Sequence, residues 1–216
     1  MATLPSALSG RPVQVPDIDF YAPLNGHVLE MQESLKYGEK ALGAEEARSL
    51  RMSNASNVLS PIRLTSPEVV WGENVGAVGC ASYGPTTHCY KSTFCYWAKH
   101  NAYSFWPKWS EYVYGCSNVL RSMFCIRCFQ GVGLSRCLEC SDCVRCEDCY
   151  FSHNLENCSN CLFCFNTKAK RYAIFNREVG KEEYMRVKKR LLDSMADELE
   201  KTHALRATIF NLGASP

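Results

Sequence analysis

Between Cys80 and Thr167 the chain keeps one phase of small or apolar residues at every third position. Besides cysteine the phase holds Thr86, Ser92, Ala98, Ser104, Ser110, Val113, Val119, Ser122, Gly131, Leu134, Ser152 and Leu155. Tyr83, Asn101 and Pro107 are its larger occupants. An α-helix repeats at 3.6 and an ordinary strand at 2.0, so neither makes this pattern. The position just before a cysteine is often Gly79, Gly115, Glu139, Asp142, Asp148, Asn157 or Asn160. Gly, Asn and Asp tolerate left-handed backbone and make tight turns. Together the two phases predict a narrow coil with small side chains inside and a bend every few residues. The expected fold class is therefore mainly β and irregular, a cysteine-lined β-solenoid-like core. A period of three suits any coil that is a multiple of three, so coil length stays open.

The flanks differ. Residues 1–79 are expected to form an extended N-terminal arm, because Pro5, Pro12, Pro16 and Pro23 disfavour helix near the start. Short helices are predicted in "HVLEMQESLKY", where Val28, Met31 and Leu35 would share a face, and in "GAEEARSLRM". Residues 80–167 form the solenoid-like unit. Residues 168–216 are predicted to cap it, with a strand in "RYAIFN" and then a long amphipathic helix. Tyr184, Val187, Leu191, Met195 and Leu199 step by three and four along that helix.

Chemistry enters through sulfur. All 14 cysteines lie between Cys80 and Cys164, and every separation is a multiple of three. "CLECSDCVRCEDC" is the densest stretch. Cys125, Cys128, Cys137, Cys140, Cys143, Cys146, Cys149, Cys158, Cys161 and Cys164 are the candidate metal ligands, for zinc or an iron–sulfur cluster. Two sets of C-x-x-C pairs have zinc-like spacing: Cys125/Cys128 with Cys137/Cys140, and Cys146/Cys149 with Cys158/Cys161. The run lacks the final x-x-x-Cys-Pro of a ferredoxin. Against metal, Ser, Ala, Thr, Val and Leu continue the same phase, which suits a structural wall of small side chains. Rungs of a solenoid lie about 4.7–4.9 Å apart, so stacked cysteines as free thiols, disulfides and metal ligands all remain open.

Other chemistry is sparse. No Gly-rich phosphate loop, H-E-x-x-H or G-x-S-x-G occurs, so no enzyme is expected. The net charge of +2 gives no field that would draw nucleic acid or an anionic membrane. No apolar run is long enough for a spanning helix, and no leader of basic then apolar residues opens the chain, so cytoplasmic synthesis is expected. Incorporation into a virion or another large particle is compatible with both. "YWAKHNAYSFWPKWSEYVY" is dense in aromatics. With Lys99 and Lys108 it suits either stacking of bases or sugars or a subunit interface, and the interface is the simpler expectation. Phe20, Tyr21, Trp71, Trp97, Trp106 and Trp109 are the candidate partner-binding residues.

The span from Cys116 to Tyr184 resembles the cysteine-repeat, C-x-x-C-ladder proteins of environmental bacterial, archaeal and phage genomes. Runs of C-x-x-C followed by "FCFNTKAKRYAIFNREVGKEEY" carry the resemblance. It implies one coupled unit of ladder, strand and helix, and no particular activity. The expectation is a non-enzymatic subunit of a larger assembly, binding further protein subunits or its own copies. The alternative is a zinc or iron–sulfur module with an interaction or electron-transfer role.

Overall fold

The computed structural model describes residues 2–16 and 18–212. Its centre is a 13-stranded sheet wound as a solenoid. Asn74 pairs with Thr86, Thr86 with Ala98, Met123 with Glu111 and Cys149 with Cys161, all in parallel. Stacked partners such as Cys116 and Cys128 are 12 residues apart. The first rung is one residue longer, pairing Val69 with Ser82. The last parallel rung is Arg171–Ile174 on Ser159–Leu162. The stack therefore runs beyond the cysteines in both directions.

The three-residue period comes from a left-handed bend on every side of the coil. His88, Trp97, Tyr112, Asp148 and Asn160 have φ of +54°, +49°, +55°, +52° and +56°, and the same phase continues to Phe175. Four such bends close each coil, and the residue after each bend points inward. Bent L-residues cost roughly 1–2 kcal/mol apiece. Hydrogen bonds to the adjacent coils offset the cost. Tyr90 N–H donates to the Asn101 carbonyl at 2.9 Å, and the bend residue Tyr103 donates back to the Tyr90 carbonyl at 3.0 Å.

Two of every three backbone N–H groups are used in this way. The third belongs to the inward residue, and in much of the stack a wall side chain receives it. Ser122 N–H donates to Ser110 Oγ at 3.1 Å, Val113 N–H to Asn101 Oδ1 at 3.0 Å, and Cys128 N–H to Cys116 Sγ at 3.3 Å. The wall residue in turn faces carbonyls, as Ser110 Oγ does those of Lys108 and Val119 at 3.0 and 3.2 Å. Ser, Asn and Cys interchange here because each is small and carries both donor and acceptor capacity.

The ends are covered. At the start, Ala2–Pro5 and Pro12–Val15 form an antiparallel hairpin. A 3₁₀ helix, Asp19–Leu24, follows, then α1 (Met31–Tyr37), α2 (Ala44–Ser49) and α3 (Ala55–Val58). Val13, Val15 and Val28 make a small core with Leu4, Tyr21 and Leu24 against it. Val28 thus lies before α1 rather than on its face, and its strand-like bridge to Thr65 explains why. Leu35 of the expected apolar face is exposed. Beyond the last rung, Arg177–Glu178 folds back antiparallel, and α4 (Lys181–Thr202) leaves the edge. Tyr184 is fully buried on Leu162 and Ile174, with Val187 and Leu191 packed alongside. Covering the open end removes an exposed sheet edge. Leu199, further along, remains exposed.

Candidate functional site

The inward phase sorts the cysteines into columns. Cys125, Cys137, Cys149 and Cys161 follow one another in one column, each one coil on from the last. Cys116, Cys128 and Cys140 stack in the next, which reaches Cys164 after Ser152. Cys143 stands in the third column, and Cys146 and Cys158 are neighbours in the fourth. Cys137, Cys140, Cys143 and Cys146 therefore occupy all four inward positions of one coil. All 14 cysteines are buried free thiols.

The thiols lie near enough to bias one another's titration. The Cys128 and Cys137 thiols beside Cys125, around a bend and along its column, push its pKa up. The Cys137, Cys146 and Cys161 thiols do the same to Cys149. Cys137, next to Cys125, Cys140 and Cys149, is held well below the ordinary thiol value. Cys140 is pushed up first by burial and then by Cys128, Cys137 and Cys143. Proximity of Cys116 to Cys128, of Cys143 to Cys146, and of Cys161 to Cys164 and Cys158 joins the rest into one network. Cys80, Cys89 and Cys95 form a separate small cluster.

The two candidate zinc quartets do come side by side on the wall, each as two neighbouring columns across two coils. Among the described residues, however, no group of three or more His, Cys, Asp or Glu is placed to hold a metal ion. Most of the thiols instead face backbone carbonyls, as Cys140 Sγ does those of Leu138 and Cys149 at 3.6 and 3.2 Å.

The bend phase, which points outward, builds a second set of columns. His88, His100, Tyr112 and Phe124 stack in series, with centroid separations of 5.2, 4.8 and 5.0 Å. Trp97 lies on Trp109 at 5.4 Å, Trp71 meets Trp97 edge-on at 5.3 Å, and Arg121 covers the far side of Trp109 at 5.6 Å. Trp106 lies beside Phe94 at 5.7 Å. Phe151, Phe163 and Phe175 repeat the theme in the last coils. Sequence reasoning found the aromatics but not their stacking, because bulky residues gave no sign that they sit at left-handed bends.

Stacking decides what these rings can do. Rings stacked rung on rung cover one another's faces and offer solvent their edges. Bases and sugars need open faces; protein side chains pack well on edges. Trp97, Trp106 and Trp109 are 44%, 45% and 45% exposed, so they are surface groups rather than core. A groove of about 460 Å³ beside Trp97 and Trp109 is bordered by Glu73, Thr87, Lys99 and Glu111. Lys99 and Glu111 are paired at 3.2 Å. Tyr21 belongs to the small N-terminal core. The side chain of Phe20 lies outside the described residues.

A third feature is the C-terminal tail, whose few apolar residues are its sequence signal. After α4 the chain returns along the solenoid. The Leu205 carbonyl accepts from Arg127 at 3.1 Å, Phe210 meets Phe129 edge-on at 4.9 Å, and the Ile209 N–H donates to Glu139 Oε2 at 2.8 Å. Glu139 is fully buried and paired with Arg127. The tail and α4 thus cover parts of the later coils, while the aromatics of the earlier coils, and Phe175 at the end of its column, stay open. Among the described residues no helix is long and apolar enough to cross a membrane. No family model matches the chain, and no curated protein matches it.

Proposed function

We propose that this chain is a non-enzymatic structural subunit that binds other protein subunits, copies of itself among them, in a larger particle such as a virion. The observation that carries the reading is the aromatic surface of the earlier coils. Trp71, Trp97, Trp106 and Trp109 lie exposed on a regularly hydrogen-bonded scaffold, whereas further on α4 packs on Leu162 and Ile174 and the tail on Arg127, Phe129 and Glu139. Exposed contiguous apolar surface of this kind marks protein contacts, and a solenoid supplies it in a fixed geometry at no extra ordering cost. Sedimentation velocity across a wide concentration range tests the reading, with Trp97→Ala/Trp109→Ala as the control. Concentration-dependent assembly that the double variant weakens is the expected result. A wild type that stays monomeric at the highest concentration, alone and with co-expressed neighbouring gene products, would overturn it.

The second reading is a zinc or iron–sulfur module, and the contiguous thiol network favours it. Elemental analysis of protein purified without chelators separates the two. Stoichiometric zinc or iron would support the module and sink the purely structural wall.

A further inference from the structure

The wall's hydrogen bonding does not require sulfur. Ser110 and Ser122 accept the N–H one coil on as Cys116 does, and Ser110 faces two carbonyls as Cys116 does. Serine would serve at any of these positions, yet Cys125, Cys137, Cys149 and Cys161 follow without interruption. The clustering asks for something that sulfur does and oxygen does not.

The donor set is purely soft, and its geometry comes in pairs. Cys149 and Cys161 are register partners on adjacent parallel strands. Rungs stand about 4.7–4.9 Å apart. Metal–thiolate bonds are about 2.3 Å, so two in line span roughly 4.6 Å. One rung thus fits a cation held linearly between two stacked sulfurs. The same spacing lies within the roughly 4.4–6.8 Å Cα range of a disulfide, so the test is made on the reduced chain. A tetrahedral ion would need four convergent donors, and among the described residues no group of even three is so placed.

The geometry points to stacked cysteine pairs of the inner wall, Cys125/Cys137, Cys149/Cys161 and Cys116/Cys128, as two-coordinate sites for soft monovalent cations of the copper(I) and silver(I) class. Soft thiolates select such ions over hard ones. Two thiols and one M⁺ give a bis-thiolate complex of charge −1, and two protons leave to solvent. In the Cys116/Cys128 pair, the Cys128 N–H already directed at Cys116 Sγ meets the negative sulfur. The inference is independent of the assembly reading.

The test uses the reduced full-length chain under argon, titrated with silver nitrate and with copper(I) supplied as its acetonitrile complex. Native mass spectrometry counts the ions, X-ray absorption reports their ligands, and far-UV circular dichroism follows the fold. Saturable binding of three ions is expected, each with two sulfurs and no nitrogen or oxygen, and with the β signal retained. Cys149→Ser/Cys161→Ser should lose one ion and keep its fold, since serine is already a wall residue. Three- or four-sulfur coordination in the wild type, binding only with loss of the β signal, or no retained ion would each overturn the proposal. The absorption measurement on wild type decides even if the variant fails to fold.

Discussion

The backbone N–H of Cys128 donates to the sulfur of Cys116, one coil earlier, at 3.3 Å. The same bond joins Ser122 to Ser110 through oxygen. A wall side chain therefore holds the coil stacked on it, besides filling space.

Removing that acceptor has a definite cost. Ser122→Ala leaves the buried Leu134 N–H, bonded at 3.1 Å in the native fold, without its partner. A loss of about 1–3 kcal/mol is expected from urea unfolding. Cys116→Ser keeps an acceptor and should change stability by less than Cys116→Val, which has none. Equal effects of the two Cys116 variants would show that the sulfur bond contributes nothing.

The bends make an opposite demand. Asn160 stands at φ +56°. Asn160→Gly should be close to neutral, whereas Asn160→Val should cost about 1–2 kcal/mol, because a β-branched residue resists the left-handed region. Thermal unfolding of the two variants side by side checks the difference.

Tyr184 anchors the capping helix. Its ring is fully buried, and its hydroxyl donates to the Asp148 carbonyl at 3.0 Å. Tyr184→Phe should cost about 1 kcal/mol for the hydrogen bond, and Tyr184→Ala about 3–5 kcal/mol for the cavity. Faster hydrogen exchange in the last rung, Arg171–Ile174, should accompany the alanine variant.

Glu139 links tail stability to pH. Burial pushes its carboxyl above the ordinary 4.5, against the pull of the Ile209 N–H and of Arg127. A carboxyl raised in the fold contributes stability below its unfolded value, and that contribution is lost as pH rises through the folded value. Wild type should therefore lose stability relative to Glu139→Gln as pH climbs from the ordinary value upward. Urea midpoints of both proteins at stepped pH measure it, and parallel curves would exclude the linkage. Glu139→Ala should also deprotect the Ile209 amide in hydrogen exchange.

Much of the core was legible because period three has one structural cause. Cys143, Cys149, Cys158 and Cys161 announce inward positions, and Asp142, Asp148, Asn157 and Asn160 announce the bends before them. Other bends were not legible. Trp97, Trp109, Arg121 and Phe163 take the same left-handed conformation against their preference, because inter-coil hydrogen bonds and ring stacking outweigh the local cost. Val28 was misplaced on a helix for a related reason. Its bridge to Thr65 is a long-range contact that no local periodicity records.

The sequence by itself determined which face of every side is the interior, since small or modestly apolar residues recur in that phase with few exceptions. It also determined that a long helix follows the coil. The tertiary structure decided the coil length. Period three is common to coils of 9, 12 or 15 residues, and only four bends closing on the next rung select the stacking of Cys149 on Cys161. It decided, too, that stacked rings cover each other's faces, and that a buried Glu139 holds the returning tail. Those outcomes depend on which residues meet 12 or more positions apart, a relation that exists only once the coils are stacked.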